Sequence, residues 1–252
     1  MKLKTKRQLA AVAVTLLAVN LSVAEAGRVG PRGATGAPGA PGAIGAPGAP
    51  GAPGLAGATG AASPVHEVGE SYQGGIIFWV DAEGQHGLIA AKSDQSAGAS
   101  WFDTNVASAY QFNYTGTTGD GIYAGIANTT KIVAQQNALS TQASIANSTT
   151  LTLVASAAQI ADDYSIQEDG VQACTGEVSE PCYGDWYLPS KVELNLLYNQ
   201  ANLLGLYSTV YWGSTESGSD RAWAMNLNNS VASTIYTRDK ADLHLVRAVR
   251  AF

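Results

Sequence analysis

The chain has 252 residues, of which 46% are hydrophobic and 13% are charged, and its formal net charge at pH 7 is −6. This acidic balance argues against nucleic acid as a partner, because binding a polyanion depends on Lys and Arg side chains that neutralise its phosphates.

Residues 1–26 have the composition of an export signal. A basic start precedes an apolar stretch at Leu9–Val19, and Ala24-Glu25-Ala26 forms a small-residue cleavage site. We predict a signal peptide cleaved after Ala26 and a protein that is secreted, extracellular or associated with the cell surface. An uncleaved membrane anchor is the alternative, but the apolar run is shorter than the roughly 20 residues of a membrane span. We expect no span after cleavage.

Residues 27–62 repeat glycine at every third position, from Gly27 to Gly60, which gives twelve Gly-X-Y triplets. Three polyproline-II chains wound together leave room at their shared axis only for glycine, so this period predicts a collagen triple helix and therefore a homotrimer. Prolines at five Y positions favour the extended conformation. A flexible Gly/Ala/Pro linker is the alternative, although a linker needs no strict period.

Residues 63–252 fit one globular domain, which we call the head. The head carries 8 basic and 19 acidic residues, so its net charge is −11. Its first predicted element is a β-hairpin: Ile76–Val80 and Gly87–Ala91 are apolar runs, and residues 81–86 between them have turn chemistry. From Trp101 to Tyr123 the chain is dense in Gly, Thr and Asn, and we predict irregular loops packed through aromatic side chains. These aromatics are Trp101, Phe102, Tyr110 and Phe112.

Two Ala/Gln-rich segments, Ile132–Leu139 and Leu151–Tyr164, place apolar residues near helical spacing and predict two helices, with a polar loop at Ser140–Thr150. A third helix is predicted from Lys191 to Leu204, because Ser190 and Glu193 have the spacing of a capping box.

Three or four strands are predicted after this helix. They fall at Val210–Trp212, Ala222–Leu227, Ser230–Thr237 and Leu243–Arg250, with a turn at Asn228-Asn229. Strands mixed with helices in this order indicate an α+β head behind a collagen stalk.

Cys174 and Cys182 are the only cysteines. In an exported chain an even count at short spacing predicts one disulfide, which closes a short loop. A redox or metal-binding pair is the alternative, but the cysteines form no C-x-x-C motif and the histidines lie far away in sequence.

Several short motifs of the head form a familiar set. They are Tyr72–Phe78, Gly84–Ala90, Asp185–Ser190 with Glu193-Leu194, Tyr211–Glu216 and Arg247–Phe252. Together they resemble the Lcl C-terminal domain of the Legionella collagen-like adhesin family, which has the same order of export signal, collagen repeat and head. This domain is similar to the major paralogous domains of fibrobacters and, more distantly, to C-type-lectin-like folds.

The resemblance implies a surface-associated trimer whose heads bind host or matrix polysaccharides, notably sulfated glycosaminoglycans, in attachment or biofilm formation. A sulfated ligand needs a basic surface, whereas this head is acidic. The alternative is a structural matrix or surface-layer protein whose head only trimerises and sets the register of the stalk. An enzyme is a third class, because the fold is distantly related to formylglycine-generating oxidases, but we find no catalytic constellation and expect none.

Eight residues are candidates for ligand binding. Four form the main basic cluster of the head, and four follow an aromatic pair at a strand end, where they either hydrogen-bond sugar hydroxyls or satisfy loop backbone. They are Arg221, Arg238, Lys240 and Arg247, and Trp212, Ser214, Thr215 and Glu216. Trp186, Leu188 and Pro189, by contrast, are predicted to fill the core.

Arg247 and Arg250 lie three residues apart on a predicted strand and should point to opposite faces, with at least one paired to a carboxylate such as Asp185 or Glu193. We predict no cofactor. Acidic residues between Asp162 and Glu180 offer oxygen ligands for calcium, but they lack the EF-hand spacing, and a solvated acidic face is the favoured interpretation.

Overall fold

The computed structural model describes residues 33, 36–43, 45, 63–103, 114–147, 154–177, 179–207, 209–227 and 234–252. The chain divides into two compact units, Met1–Ala58 and Thr59–Phe252. In the first unit the described residues are exposed and form neither helix nor strand. The predicted signal peptide and most of the predicted collagen repeat lie outside the described residues, and both stay predictions.

The second unit contains the head, which is an α+β domain as predicted. Its helices are α1 (Ala124–Asn147), α2 (Ala157–Asp162) and α3 (Lys191–Asn199). Its strands are β1 (Ser71–Tyr72), β2 (Gly75–Val80), β3 (Gly87–Ala91), β4 (Ser96–Ala99), β5 (Ile166–Gln167), β6 (Cys182–Tyr183), β7 (Val210–Glu216), β8 (Arg221–Asn226), β9 (Thr234–Asp239), β10 (His244–Val246) and β11 (Val249–Ala251).

The strands form three sheets that are mostly antiparallel. One sheet has the order β1-β2-β3-β11, a second has the order β4-β10-β7-β8-β9, and β5 pairs with β6. Only β10 and β7 run parallel among the described pairs. The predicted hairpin is confirmed as β2 and β3, which pair antiparallel with Ile77 opposite Ile89.

The apolar side chains of the head form two buried clusters. The first contains the fully buried Trp101 and Trp212, together with Trp186 and Leu188, so the predicted core role of Trp186 and Leu188 is confirmed. The second is built around Tyr187, Tyr211 and Leu197. Because the four-stranded and the five-stranded sheet both contribute side chains to the clusters, the sheets and helices stabilise one another by burying apolar surface.

The irregular segment before α1 is confirmed at residues 101–103 and 114–123, whereas Tyr110 and Phe112 lie outside the described residues. The prediction of a polar loop at Ser140–Thr150 is wrong for residues 140–147, because α1 continues through these residues. The Thr141 hydroxyl donates to the Asn137 carbonyl at 2.8 Å. A threonine bonded to the preceding turn fits inside a helix, which makes its polarity a poor signal for a loop.

The predicted capping box is present at the start of α3. Ser190 Oγ accepts from the Glu193 amide at 3.2 Å, and Glu193 accepts from the Ser190 amide at 2.7 Å. The helix ends at Asn199 rather than Leu204. A further turn ends in a Schellman arrangement at Gly205, whose φ is +57°, with the Leu206 amide bonded to the Ala201 carbonyl.

The predicted strands at the far end of the head are present, while the turn at Asn228-Asn229 lies outside the described residues. The run Leu243–Arg250 is not one strand. It divides into β10 and β11, which belong to different sheets, and Arg247 lies at the crossing between them. No helix among the described residues is both long and apolar enough to cross a bilayer.

Candidate functional site

The structure does not assemble the predicted basic residues into one surface cluster. Arg221 is exposed, whereas Arg238 is half-buried with its guanidinium 4.5 Å from the centre of the Tyr236 ring. The Arg238 Nη2 donates to the Tyr236 hydroxyl at 2.8 Å. Lys240 and Arg247 are only 1% and 3% exposed. Two of the four cations are therefore withdrawn from solvent.

Lys240 forms an ion pair with Glu216 inside the head, and both side chains are buried. The ammonium also donates to the Ser219 carbonyl at 2.9 Å and lies 4.5 Å from the Trp101 ring centre. Glu216 accepts from the backbone amides of Thr115 and Gly116. Burial lowers the pKa of Lys240, and the adjacent Glu216 carboxylate opposes that shift. The pair connects strand β7 to the loops beside it.

Arg247 is held at the crossing between the two sheets. Its Nε donates to Asp94 Oδ1 at 2.6 Å, and its Nη1 donates to the Ala91 carbonyl at 2.9 Å. The Tyr211 hydroxyl donates to the other oxygen of Asp94 at 3.0 Å. Because Arg247 lies between strands, the prediction that it shares a strand with Arg250 is wrong.

The prediction that an arginine pairs with Asp185 is confirmed for Arg250. Its Nε and Nη2 donate to the two Asp185 oxygens at 2.7 and 2.9 Å. The guanidinium lies 4.8 Å from the centre of the Tyr183 ring. The hydrogen bond from Tyr183 to Glu168, with desolvation, raises the pKa of Tyr183 to about 12.

The four residues predicted at the strand end are buried in the packing around β7. Trp212 Nε1 donates to the Ala99 carbonyl at 2.8 Å, and Ser214 Oγ donates to the Pro189 carbonyl at 3.2 Å. Thr215 Oγ1 donates to the Gly119 carbonyl at 2.8 Å and accepts from the Lys191 amide at 2.9 Å. Their polar atoms satisfy neighbouring backbone, which is one of the two predicted roles.

The predicted disulfide joins Cys174 to Cys182, with their Cα atoms 5.7 Å apart. It closes residues 175–181, the second half of the connection between β5 and β6, and Thr175 within this ring donates twice to Glu180. Among the described residues, no group of three or more His, Cys, Asp or Glu side chains is arranged to hold a metal ion.

A recess beside α2 is lined in part by Asp94, the carboxylate that pairs with Arg247. Its volume is about 390 Å³, which is within the usual range for small-ligand sites. Two chain segments, residues 93–95 and 155–164, line it, and we call it the α2 pocket. Its lining residues are Ser93, Asp94, Gln95, Ala155, Ile160, Asp163 and Tyr164.

Hydrogen bonds to neighbouring residues orient the polar groups of the α2 pocket. Asp94 is oriented by Arg247 and Tyr211, as described above, while Gln95 Oε1 accepts from the Ala248 amide at 2.5 Å. The Tyr164 ring meets Trp186 edge-on with 5.2 Å between ring centres, and burial raises the pKa of Tyr164. Asp163 is exposed and accepts from Gln159 Nε2 at 2.8 Å. The pocket thus offers fixed acceptors next to an aromatic ring.

A second recess of about 320 Å³ shares Ala155 and Asp163 with the α2 pocket. The amide side chains of Gln136, Asn137 and Gln159 line it together with the carboxylate of Asp103. The two recesses therefore lie side by side along α2, which suits a ligand longer than one small molecule.

No sequence motif marks the α2 pocket. Asp94 and Gln95 belong to no recognised motif, while the sequence predicts a solvated acidic face for Asp163 and the end of a helix for Tyr164. Only their approach in space, from segments about 60 residues apart, distinguishes them. Among the predicted ligand residues, Arg247 alone approaches the pocket, where it orients Asp94.

Neither the family models nor the curated proteins with which the chain was compared give a match.

Proposed function

We propose that the chain is an exported, trimeric collagen-like adhesin whose heads bind polysaccharide outside the cell, in attachment or biofilm formation. The order of its parts supports this proposal: an export signal, twelve Gly-X-Y triplets and an acidic head with the motifs of the Lcl C-terminal domain. In this proposal the head has a C-type-lectin-like architecture, acts by binding rather than by catalysis and needs no cofactor.

The α2 pocket is the observation that carries the binding proposal. Sugar hydroxyls donate and accept hydrogen bonds, and the pocket presents carboxylate oxygens, an amide and a tyrosine side chain. Asp94 accepts from Arg247 and Tyr211 but has further acceptor positions, because a carboxylate has about four. Since these groups are fixed by their own partners, a ligand that binds them orders few side chains.

The charges around the pocket favour a neutral polysaccharide over a sulfated one. All eight Lys and Arg residues of the head fall within its described part, and at least four are paired with carboxylates. The α2 pocket itself presents two aspartates. A sulfate ester placed there would face negative charge with few free cations nearby. We therefore assign the pocket a neutral glycan chain.

The test measures binding of the mature chain to neutral and sulfated polysaccharides at low and moderate salt, with calcium and with chelator. We expect neutral chains to bind with little dependence on salt. Asp163→Ala should weaken binding about tenfold or more, because it removes a charged acceptor. Tyr164→Phe should weaken it less, since it keeps the ring. The control Glu177→Ala removes one exposed carboxylate outside the pocket and should bind normally.

Three outcomes would contradict this assignment. Salt-sensitive binding to sulfated chains that is lost in Arg221→Gln and Arg238→Gln variants would move the site to these two arginines. Chelator-sensitive binding would instead indicate calcium bound by the acidic residues between Asp162 and Glu180. Binding to no polysaccharide would favour the structural alternative, in which the head only sets the register of the stalk.

A further inference from the structure

The recess of about 320 Å³ beside the α2 pocket is lined by three amide side chains. Gln136 and Asn137 reach it from α1, and Gln159 reaches it from α2. We call it the amide recess. Val154 and Ala155 are exposed and contribute apolar surface to the same recess. The amide recess therefore combines groups that both donate and accept hydrogen bonds with a small apolar surface.

Hydrogen bonds between separate segments fix the walls of the amide recess. The Asp103 amide donates to Gln136 Oε1 at 2.7 Å, and the Val154 amide donates to Asp103 Oδ2 at 2.7 Å. On α2, Gln159 Nε2 donates to Asp163 Oδ1 at 2.8 Å. Because these side chains already have their orientation, a ligand that binds them loses little side-chain entropy.

Gln136 is the most deeply placed of the three amides. Its side chain is buried, with 3% of the residue exposed, and its Oε1 accepts from the Asp103 amide. Among the described residues, no hydrogen bond from its Nε2 is found, although the side chain lines the recess. A buried donor is stabilised when an acceptor reaches it, so a ligand that brings a carbonyl oxygen to this position binds favourably.

We propose that the amide recess binds the acetamido group of an N-acetylated sugar, so that the neutral glycan taken by the α2 pocket contains N-acetylhexosamine units. The inference rests on the proposed function and specifies its ligand. An acetamido group has a carbonyl acceptor, an N–H donor and a methyl group. Its carbonyl accepts from Gln136 Nε2, and its N–H donates to the side-chain oxygen of Asn137 or Gln159. Its methyl group contacts Val154.

Other sugars fit the two recesses less well. The recesses share Ala155 and Asp163, so adjacent units of one chain can occupy both. The carboxylates of Asp103 and Asp163 line the amide recess and disfavour an acidic sugar such as a uronic acid. A plain hexose has a hydroxyl group in place of the acetamido group, so it leaves the buried Gln136 donor unpaired and the apolar surface uncovered.

The experiment measures binding of chitotetraose and cellotetraose to the mature chain by titration calorimetry. Both oligosaccharides are neutral and have the same length and linkage, and they differ only in carrying an acetamido group or a hydroxyl group on each unit. We expect chitotetraose to bind about tenfold more tightly, because only its acetamido groups satisfy the amides of the recess. Asn137→Ala should reduce this preference to about threefold or less, since it removes one of those amides. The control Asn195→Ala makes the same change at an exposed position of α3 that lines neither recess, and it should keep the full preference.

The outcomes separate this inference from the proposed function. Equal binding of the two oligosaccharides, with both weakened by Asp163→Ala, would overturn the N-acetyl assignment and leave glycan binding at the α2 pocket intact. An unchanged preference in Asn137→Ala would remove the amide recess from the interaction. Displacement of chitotetraose by an N-acetylated dipeptide amide at the same concentration would indicate recognition of amides in general and overturn the assignment to a sugar. Binding of neither oligosaccharide nor any polysaccharide would contradict the proposed function itself.

Discussion

Replacing Lys240 by methionine distinguishes a buried structural cation from a ligand-binding one. The substitution keeps most of the side-chain volume but removes the ammonium that faces Glu216 and the Trp101 ring. Among the described residues, the buried Glu216 carboxylate would keep its amide donors from Thr115 and Gly116 but no cation. Leaving one member of a buried pair without its partner lowers the free energy of unfolding by about 3–5 kcal/mol.

The loss is large enough to separate the two roles. An exposed cation contributes about 0–1 kcal/mol, so a surface Lys240 would be replaced almost without effect on stability. Urea unfolding of the mature chain, followed by tryptophan fluorescence, reports on the head because all five tryptophans lie between residues 79 and 223. With a urea dependence near 2 kcal/mol/M, the midpoint should fall by about 2 M.

The double variant Lys240→Met/Glu216→Leu removes both charges and should regain much of the lost stability, because an apolar pair has no unpaired buried charge. Arg221→Met is the matched control, since Arg221 is exposed. A Lys240→Met head whose unfolding free energy stays within about 1 kcal/mol of the wild type would refute the reasoning.

Three further predictions concern pH, packing and the covalent crosslink. Burial lowers the pKa of His244 below its value in the unfolded chain, so the unfolded state takes up the proton first and the head loses stability as the pH falls below about 6.5. The free energy of unfolding, measured between pH 7.5 and 5, should depend less on pH in a His244→Asn variant. Gly125→Ala should lower the melting temperature although alanine favours helix, because its Cβ would lie 2.7 Å from the Leu188 carbonyl oxygen. In the control Gly121→Ala, the added Cβ meets no atom within 4 Å, and the melting temperature should change little. Replacing Cys174 and Cys182 by serine should lower the unfolding free energy by about 2.5 kcal/mol, since the open loop regains entropy, and a loss below about 0.5 kcal/mol would contradict this.

Local signals in the sequence predicted local structure well. Ser190 and Glu193 are three residues apart, and their capping box needs no information from the rest of the chain. The hairpin of β2 and β3 is likewise close in sequence. The disulfide was predictable because the chain contains only two cysteines at short spacing and its first residues predict export.

Burial of charged residues was not predictable in the same way. Lys240 and Arg238 lie two residues apart, yet Lys240 is buried against Glu216 while Arg238 remains half-buried over Tyr236. Nothing in the local sequence distinguishes an ion pair with a residue on another strand from a solvated cation. The α2 pocket depends in the same way on contacts between distant segments, such as Asp94 with Arg247.

The position of β10 has a consequence for the order in which the head folds. This strand lies between β4 and β7, and its register pairs residue 99 with residue 244. Until residues 244–246 leave the ribosome, β4 and β7 have no strand to join them, so the five-stranded sheet remains open. Contacts between residues so far apart in sequence also slow folding. Both effects delay completion of the five-stranded sheet until the last residues of the head have been synthesised.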